Sequence, residues 1–380
     1  MITNDVIYVG VKDLDIDLFE GQYKVKDGMT YNSYVILDEN VCVLDTVDKN
    51  FKDEWLNNID IALNGRIPNY LVIHHMEPDH SANINVFMER YPNAKIVSSV
   101  GAFNMMKNLF GTDYSDRKIV VKEGDNLNLG KHSLTFVSAP LVHWPEVMFS
   151  YDSYDKILFS ADGFGKFGSS LELDDWECEA RRYYFGIVGK FGNNVQNVLK
   201  KAEALDIKII CPLHGPILKD NLGYYINLYK TWSSYKAEDD GVCICYCSVY
   251  GNTLEAVNYL YDKLISENVK AIKFDLARCD QSEALEDAFR YNNLVLAAPT
   301  YNGDIFPFMK DFINHLLDHN YQNRNIVLIE NGMWAPASNK CMKALLDNLK
   351  DINIVDTITI KGRVSDDVKN KLDALSLKLK

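Results

Sequence analysis

The 380-residue sequence has no Cys-x-x-Cys pair among its eight cysteines, which excludes the zinc-ribbon and rubredoxin-type sites built on such pairs. No apolar run is long enough to cross a bilayer. The opening residues, Met1-Ile2-Thr3-Asn4-Asp5, lack the basic start and apolar core of a secretion signal. Positive charge is also scarce. A net charge of −13 argues against nucleic acid as a partner and against an anionic membrane surface. Internal repeats and low-complexity tracts are absent. What remains is 47% hydrophobic and 24% charged, the profile of a soluble globular chain with room for two cores. The expected location is the cytoplasm. Cys243, Cys245 and Cys247 alternate along an apparent strand and read as small core residues in a reducing compartment.

The two parts of the sequence differ in rhythm. Up to about residue 235, short strand-like runs alternate with turns and helices. Residues 34–37 and 41–44 flank the turn Asp38-Glu39-Asn40 as a hairpin. Further strands are expected at 70–73, 96–98, 134–137 and 157–160. From 241 the pattern becomes strand then helix, repeated. Strands at 242–247, 271–275, 293–298 and 325–329 alternate with helices such as 254–265 and 281–289. That alternation predicts a parallel sheet with helices on both faces. The polar stretch 233–241 is the expected linker.

The densest chemical signal is His74-His75-Met76-Glu77-Pro78-Asp79-His80, directly after a strand. Pro78 predicts a loop, able to aim His75, Glu77, Asp79 and His80 at one point. His74 would face the other way and is left out. Three more candidates follow strands, in turns rich in Gly or Pro: His143, Asp162 and His214. Imidazole with carboxylate suits iron, manganese or zinc. Cys211 stands near His214, but no second cysteine supports it as a ligand. His132, His315 and His319 read as surface or helix positions. Gly163-Phe164-Gly165-Lys166-Phe167-Gly168 matches a dinucleotide fingerprint, but residues 169–175 do not open a helix, so the glycines read as a turn positioning Asp162.

The order His-x-Glu-x-Asp-His, His, Asp, His resembles the metallo-β-lactamase superfamily, with Glu77 where that superfamily usually has histidine. Glu at this position is similar to the flavodiiron proteins, also called A-type flavoproteins or rubredoxin:oxygen oxidoreductases. Tyr31-Asn32-Ser33-Tyr34, Leu44-Asp45-Thr46-Val47 and His143-Trp144-Pro145-Glu146 share the likeness. The resemblance implies one iron on His75, Glu77 and His143, a second on Asp79, His80 and His214, and Asp162 between them. A carboxylate in place of imidazole favours an iron that cycles between oxidation states.

The second half opens with a strand, then Ser248, Val249, Tyr250, Gly251, Asn252 and Thr253, then a helix. Such a hydroxyl-rich turn at a helix N-terminus receives phosphate. Pro299, Thr300, Tyr301, Asn302 and Gly303 follow a second strand, and Asn331, Gly332, Met333 and Trp334 a third. Strand carboxyl ends are where open parallel sheets bind ligands. The three loops together resemble flavodoxin, which implies FMN, with Tyr301 and Trp334 offering flat faces to its ring. Ala335 and Pro336 depart from the small polar residues of the usual third loop.

The expected fold is α/β in two domains: a metallo-β-lactamase-like αββα sandwich over 1–236 and a flavodoxin-like doubly wound parallel sheet over 241–380. The resemblance implies an oxidoreductase that reduces O2 to water, NO to N2O, or both, with electrons relayed by FMN. It implies a head-to-tail homodimer or a dimer of dimers. It also implies a separate electron donor, a rubredoxin or alternatively a reduced deazaflavin, since the chain ends about where a flavodoxin domain should. Two rival readings are a zinc hydrolase fused to a flavodoxin-like carrier and an electron carrier with a dead metal domain. Glu77 weighs against the first and the intact donor set against the second.

Overall fold

The computed structural model describes residues 1–174 and 176–380. Asp175, the last residue of the stretch read as opening no helix, lies outside the described residues. The chain divides into two compact units: Met1–Tyr184 with Phe191–Lys230, and Phe185–Lys190 with Thr231–Lys380.

The first unit carries two packed sheets. One has six strands in the order Val6–Tyr8, Tyr34–Ile36, Cys42–Leu44, Tyr70–Val72, Lys95–Ser98, Lys118–Val120. Its first two pairings are antiparallel, the hairpin 34–44 among them, and the other three are parallel. The other sheet runs Asn126–Asn128, Ser133–Ser138, Met148–Asp152, Ile157–Phe159, Ile209–Cys211. Leu44, Val72 and Val97 of the first sheet meet Phe136, Met148 and Phe159 of the second in one buried apolar layer. Burying such side chains contributes roughly 1.5–3 kcal/mol each, which is what holds two sheets face to face. Cys211 lies buried in its strand, one of that core.

The second unit is a parallel sheet in the order Ala271–Asp275, Asp239–Tyr246, Tyr291–Tyr301, Gln322–Asn331, Lys350–Ile360. Numbered along the unit that is 2-1-3-4-5, the flavodoxin-like winding, with its topological switch between the first and third strands. Alternation sets the faces. Val242, Ile244 and Tyr246 pack with Val257, Leu260, Leu372 and Leu375 of the helices Asn252–Ser266 and Asp366–Lys378. Cys243, Cys245 and Cys247 point the other way and are fully buried.

Three details differ from the sequence reading. Residues 75–80 are not all loop: Pro78 begins a short helix, Pro78–Ser81, because its fixed φ and missing N–H suit a first helical turn. His132 is fully buried and stands near Asp152, not at the surface. The stretch read as a linker is partly structured: the strand Asp239–Tyr246 starts inside it, and buried Tyr235 donates its hydroxyl to the carbonyls of Gly189 and Lys190.

Candidate metal and flavin centres

The segment carrying the first donors is held before it turns. Asp45 accepts from the His74 backbone N–H at 2.7 Å and lies 2.5 Å from His74 Nδ1, while His74 Nε2 lies 2.7 Å from Ser150 Oγ. His74 is thus a buried anchor, which frees the next residue to face away. Thr46 donates both its N–H and its hydroxyl to the His80 carbonyl, and Ser81 Oγ donates to Met76 O. The His214 turn is held by residues of the Tyr31-Asn32-Ser33-Tyr34 motif. Asn32 Nδ2 donates to Pro212 O and Gly215 O at 2.8 and 2.9 Å, and Tyr34 donates to Pro212 O. Gly215 adopts φ +79°, and a Cβ there would lie 2.7 Å from the Lys166 side chain, so only glycine fits.

All seven predicted donors come together. His75, Glu77, His143 and Asp162 form one cluster, and Asp79, His80 and His214 form a second. Asp162 spans them: Oδ2 lies 3.2 Å from both His75 Nε2 and His143 Nε2, while Oδ1 lies 3.3 Å from His80 Nε2 and 3.7 Å from His214 Nε2. Glu77 Oε2 stands 3.2 and 3.0 Å from the Nε2 atoms of His75 and His143. Asp79 Oδ2 stands 3.2 and 3.3 Å from those of His80 and His214. His80 Nε2 and His214 Nε2 are 3.1 Å apart.

Two imidazoles are aimed from behind. His75 Nδ1 lies 2.9 Å from Glu146 Oε1, which also accepts the Met76 N–H at 2.9 Å. His214 Nδ1 lies 2.6 Å from Thr30 O. An acceptor behind Nδ1 fixes the tautomer and turns Nε2 into the donor. Sequence reasoning missed both. Glu146 could have been suspected as a carboxylate three residues after His143. Thr30 gave no signal, because its contact with His214 is made by its backbone carbonyl. Glu20 and Tyr183 were also missed: Tyr183 lies 5.5 Å from His214, ring to ring, and Glu20 stands beside Glu77.

The electrostatics ask for a cation. Among the described residues, both carboxylate oxygens of Asp79 and of Asp162 are buried without a hydrogen bond. Burial would push the imidazoles down, yet the facing carboxylates outweigh it. Asp162 raises His75 well above its usual range, Asp79 raises His80, and Asp162 with Glu77 raises His143 to about 9. Glu77 and Asp162 move the opposite way, below the carboxylate range, because the imidazoles outweigh the effect of burial. So many oxygen and nitrogen lone pairs within 4 Å are stable only around positive charge. This donor set, imidazole with carboxylate, fits two ions such as iron, manganese or zinc.

In the second unit the three predicted segments lie at the carboxyl ends of the first, third and fourth strands, and the strands run further than expected, so that Pro299, Thr300, Tyr301 and Asn331 are still strand residues. Ser248 Oγ accepts from the N–H groups of Gly251 and Leu254, so its side chain shapes the turn. Gly251, at φ +92°, occupies the N-cap of the helix Asn252–Ser266 and has no side chain to cap it. That leaves the end of a 15-residue helix able to receive an anion. Thr300 Oγ1 accepts from the N–H groups of Ala337 and Ser338, and Asn331 exchanges two bonds with Gly362. Both tie loops to their neighbours. Tyr250, Tyr301, Met333 and Trp334 are exposed, Tyr250 and Trp334 at 93% and 81%. Free aromatic faces at a switch point suit a planar ring.

Residues 29–215 match the ODP family of beta lactamases, and residues 243–374 match a flavodoxin domain. A nitric oxide reductase of Moorella thermoacetica is 28% identical over 360 residues, spanning 92% of this chain and 90% of that protein. The flavodiiron protein of Giardia intestinalis superposes with a TM-score of 0.93 at 25% identity, over 100% of this chain and 95% of that one. The chain belongs to the flavodiiron protein family. The rubredoxin oxygen:oxidoreductase of Desulfovibrio gigas superposes with a TM-score of 0.91 at 24% identity, covering 100% and 97% of the two chains. Flavodiiron architecture accounts for both units: a beta-lactamase-like sandwich bearing the clustered donors, then a flavodoxin-like sheet bearing the three loops.

Proposed function

We propose that this chain is a flavodiiron oxidoreductase that reduces O2 to water, NO to N2O, or both. The observation that carries the reading is Asp162, whose two oxygens each face one group of imidazoles, with Glu77 completing the first group. His75, Glu77 and His143 would hold one iron, Asp79, His80 and His214 the other, and Asp162 both. When bound, the two irons supply electrons and Lewis acidity, and FMN relays electron pairs. The overall balance is four electrons and four protons per O2 giving two waters, or two of each per pair of NO giving N2O and one water.

The chain's own residues do the arranging. Glu146 and Thr30 turn His75 and His214 so that their Nε2 atoms face the centre. Glu20 stands beside Glu77, its carboxyl pushed up to about 7 by burial first and Glu77 second. In the second unit the helix end at Asn252 would take the FMN phosphate. Residues 248–253, 299–303 and 331–334 would surround the flavin, with Tyr301 and Trp334 against its ring. The domain assignment that goes with this is 1–236 for the diiron part and 241–380 for the flavin part.

Electrons come from a separate carrier. A rubredoxin is the donor this reading favours, with reduced deazaflavin as the alternative. A head-to-tail homodimer or dimer of dimers would set one subunit's FMN against its partner's irons, and a monomer at working concentration would refute that. Among the described residues no helix is long and apolar enough to cross a membrane, which accords with a cytoplasmic site of action.

The deciding experiment measures metal, flavin and turnover together. About two irons and one FMN per chain, with O2 or NO consumed under a reduced donor, are expected from the donor clusters and the switch-point loops. Zinc with FMN after iron-rich expression, with ester or lactam hydrolysis and no gas consumption, would move the reading to a hydrolase fusion.

A further inference from the structure

The first unit holds a second kind of donor cluster, built on Asp5, His132 and Asp155. It begins with a histidine in an unexpected place. His132 follows the turn residues Gly130 and Lys131, yet it is fully buried. Its Nδ1 lies 2.9 Å from Asp152 Oδ2. That carboxylate also accepts the N–H groups of Tyr154 at 3.3 Å and Asp155 at 3.1 Å. Asp152 therefore acts purely as an acceptor, and Nδ1 carries the hydrogen. In the neutral imidazole, Nε2 is then a lone pair.

Nε2 faces Asp5 Oδ2 at 3.4 Å, and the Asp155 carboxylate completes a triangle whose donor atoms all lie within 4.8 Å of one another. Two lone pairs facing each other need positive charge between them. A proton on Nε2 is one answer. A hydrogen bond from an imidazolium to a carboxylate, however, closes to about 2.7–2.9 Å. The observed 3.4 Å is longer. Two ligand atoms bound about 2.0–2.1 Å from one tetrahedral ion stand about 3.3–3.4 Å apart. The His132–Asp5 separation therefore matches that of two ligands on one metal ion. Asp152 supplies the carboxylate behind the histidine that metal-bound imidazoles usually have.

We propose that Asp5, His132 and Asp155 form a third metal site, for one tetrahedral zinc-class divalent ion with its fourth position open to water. Its ligands come from the N-terminal segment, the turn before the strand Ser133–Ser138 and the turn after Met148–Asp152. The ion would pin the N-terminal segment to the second sheet. A native competitor is present: Lys131 Nζ pairs with Asp5 Oδ2. The Lys131 side chain is 42% exposed, so it can swing into solvent when the ion enters. Thr3 Oγ1 donates to Asp155 Oδ2 at 2.5 Å, holding that carboxylate beside the N-terminal segment.

The test uses the iron- and FMN-loaded protein. It is titrated with Zn2+ by calorimetry, desalted, and assayed for zinc, iron and gas turnover. One zinc per chain is expected beyond the irons, with iron content and turnover unchanged. His132→Gln and the more exposed Asp155→Asn should each weaken zinc binding at least tenfold, and Lys131→Ala should tighten it by removing the competing ammonium. A purely structural dyad would give no such tightening. The proposal is overturned if no extra zinc is retained at micromolar free Zn2+, if zinc enters only as iron leaves, or if both weakening variants bind it as the parent does.

Discussion

Glu146 is the residue through which the metal site can be loosened without touching a donor. Its side chain is buried, and Oε1 accepts from His75 Nδ1 and from the Met76 N–H, both at 2.9 Å. Replacing it with alanine removes a charged acceptor from two buried groups at once. Each such bond contributes about 1.5–3 kcal/mol. His75 then loses the partner that fixes its tautomer and ring angle. Losing the group behind a metal-bound histidine typically costs 10–100-fold in affinity or activity, or about 1.4–2.7 kcal/mol. Glu146→Gln should fall between, because it keeps one oxygen for Nδ1. Its amide nitrogen, however, would replace Oε2, which has no hydrogen-bond partner among the described residues. The assay is anaerobic competition with an iron chelator, with iron and FMN counted after desalting. Iron loss should steepen in the order parent, Gln, Ala, while FMN stays constant because its loops belong to the other unit. An alanine variant holding iron within twofold of the parent would show that His75 is aimed by something other than Glu146.

Three further outcomes follow from the structure. Among the described residues, buried Arg324 donates to carbonyls, Tyr291 O at 2.9 Å and Tyr235 O at 2.6 Å among them, so Arg324→Met removes their charged donor and leaves Tyr235 O with Asn323 Nδ2 at 3.3 Å; urea unfolding of the second unit should lose about 1.5–3 kcal/mol, and a loss under about 1 kcal/mol contradicts this. Burial pushes the Cys247 thiol up to about 12, and Cys243, Cys245 and Cys247 are fully buried, so Ellman's reagent at pH 8 should label exposed Cys178 first and this buried row only after denaturation. Rapid labelling of Cys243 in the native protein, read by mass spectrometry, would overturn that order. Partial burial works to raise the Asp239 carboxyl, but hydrogen bonds from Lys270 and Arg290 outweigh it and hold it below its usual range. A folded pKa below the unfolded value gives stability that is present above about pH 3.9 and lost as pH falls through the folded value. Asp239→Asn should therefore cost about 0.5–1 kcal/mol at neutral pH, with parent and variant urea midpoints converging in acid; a gap that stays constant down to about pH 2 would refute the linkage.

How much of this could be read from the chain depends on how local each role is. The cluster from His75 to His80 spans six residues after one strand, so donor type, spacing and punctuation sit in a single window. His143, Asp162 and His214 were legible for the same reason, each being a donor in a Gly- or Pro-rich turn after a strand. The strand–helix alternation after residue 241 likewise gave the parallel sheet, because its period is local. The parts that stayed hidden are those whose partner is distant. His74 looked like a donor facing the wrong way, and its role appears only once Asp45 and Ser150 close on it, 29 and 76 residues away. Asn32 looked like part of a motif, and its function is to grip a turn 180 residues later. The short helix at Pro78 was misread because proline breaks a helix only in the interior, not at the first turn. His132 reads as a surface or helix position, yet it is buried against Asp152, 20 residues on. Local pattern thus identifies the atoms that can bind, while the groups that aim those atoms belong to the tertiary fold. It follows that substitutions at the aiming residues, Glu146, Asp45 and Asn32, should alter metal affinity while leaving the donor motif intact, which is why a matching motif alone does not guarantee a working centre.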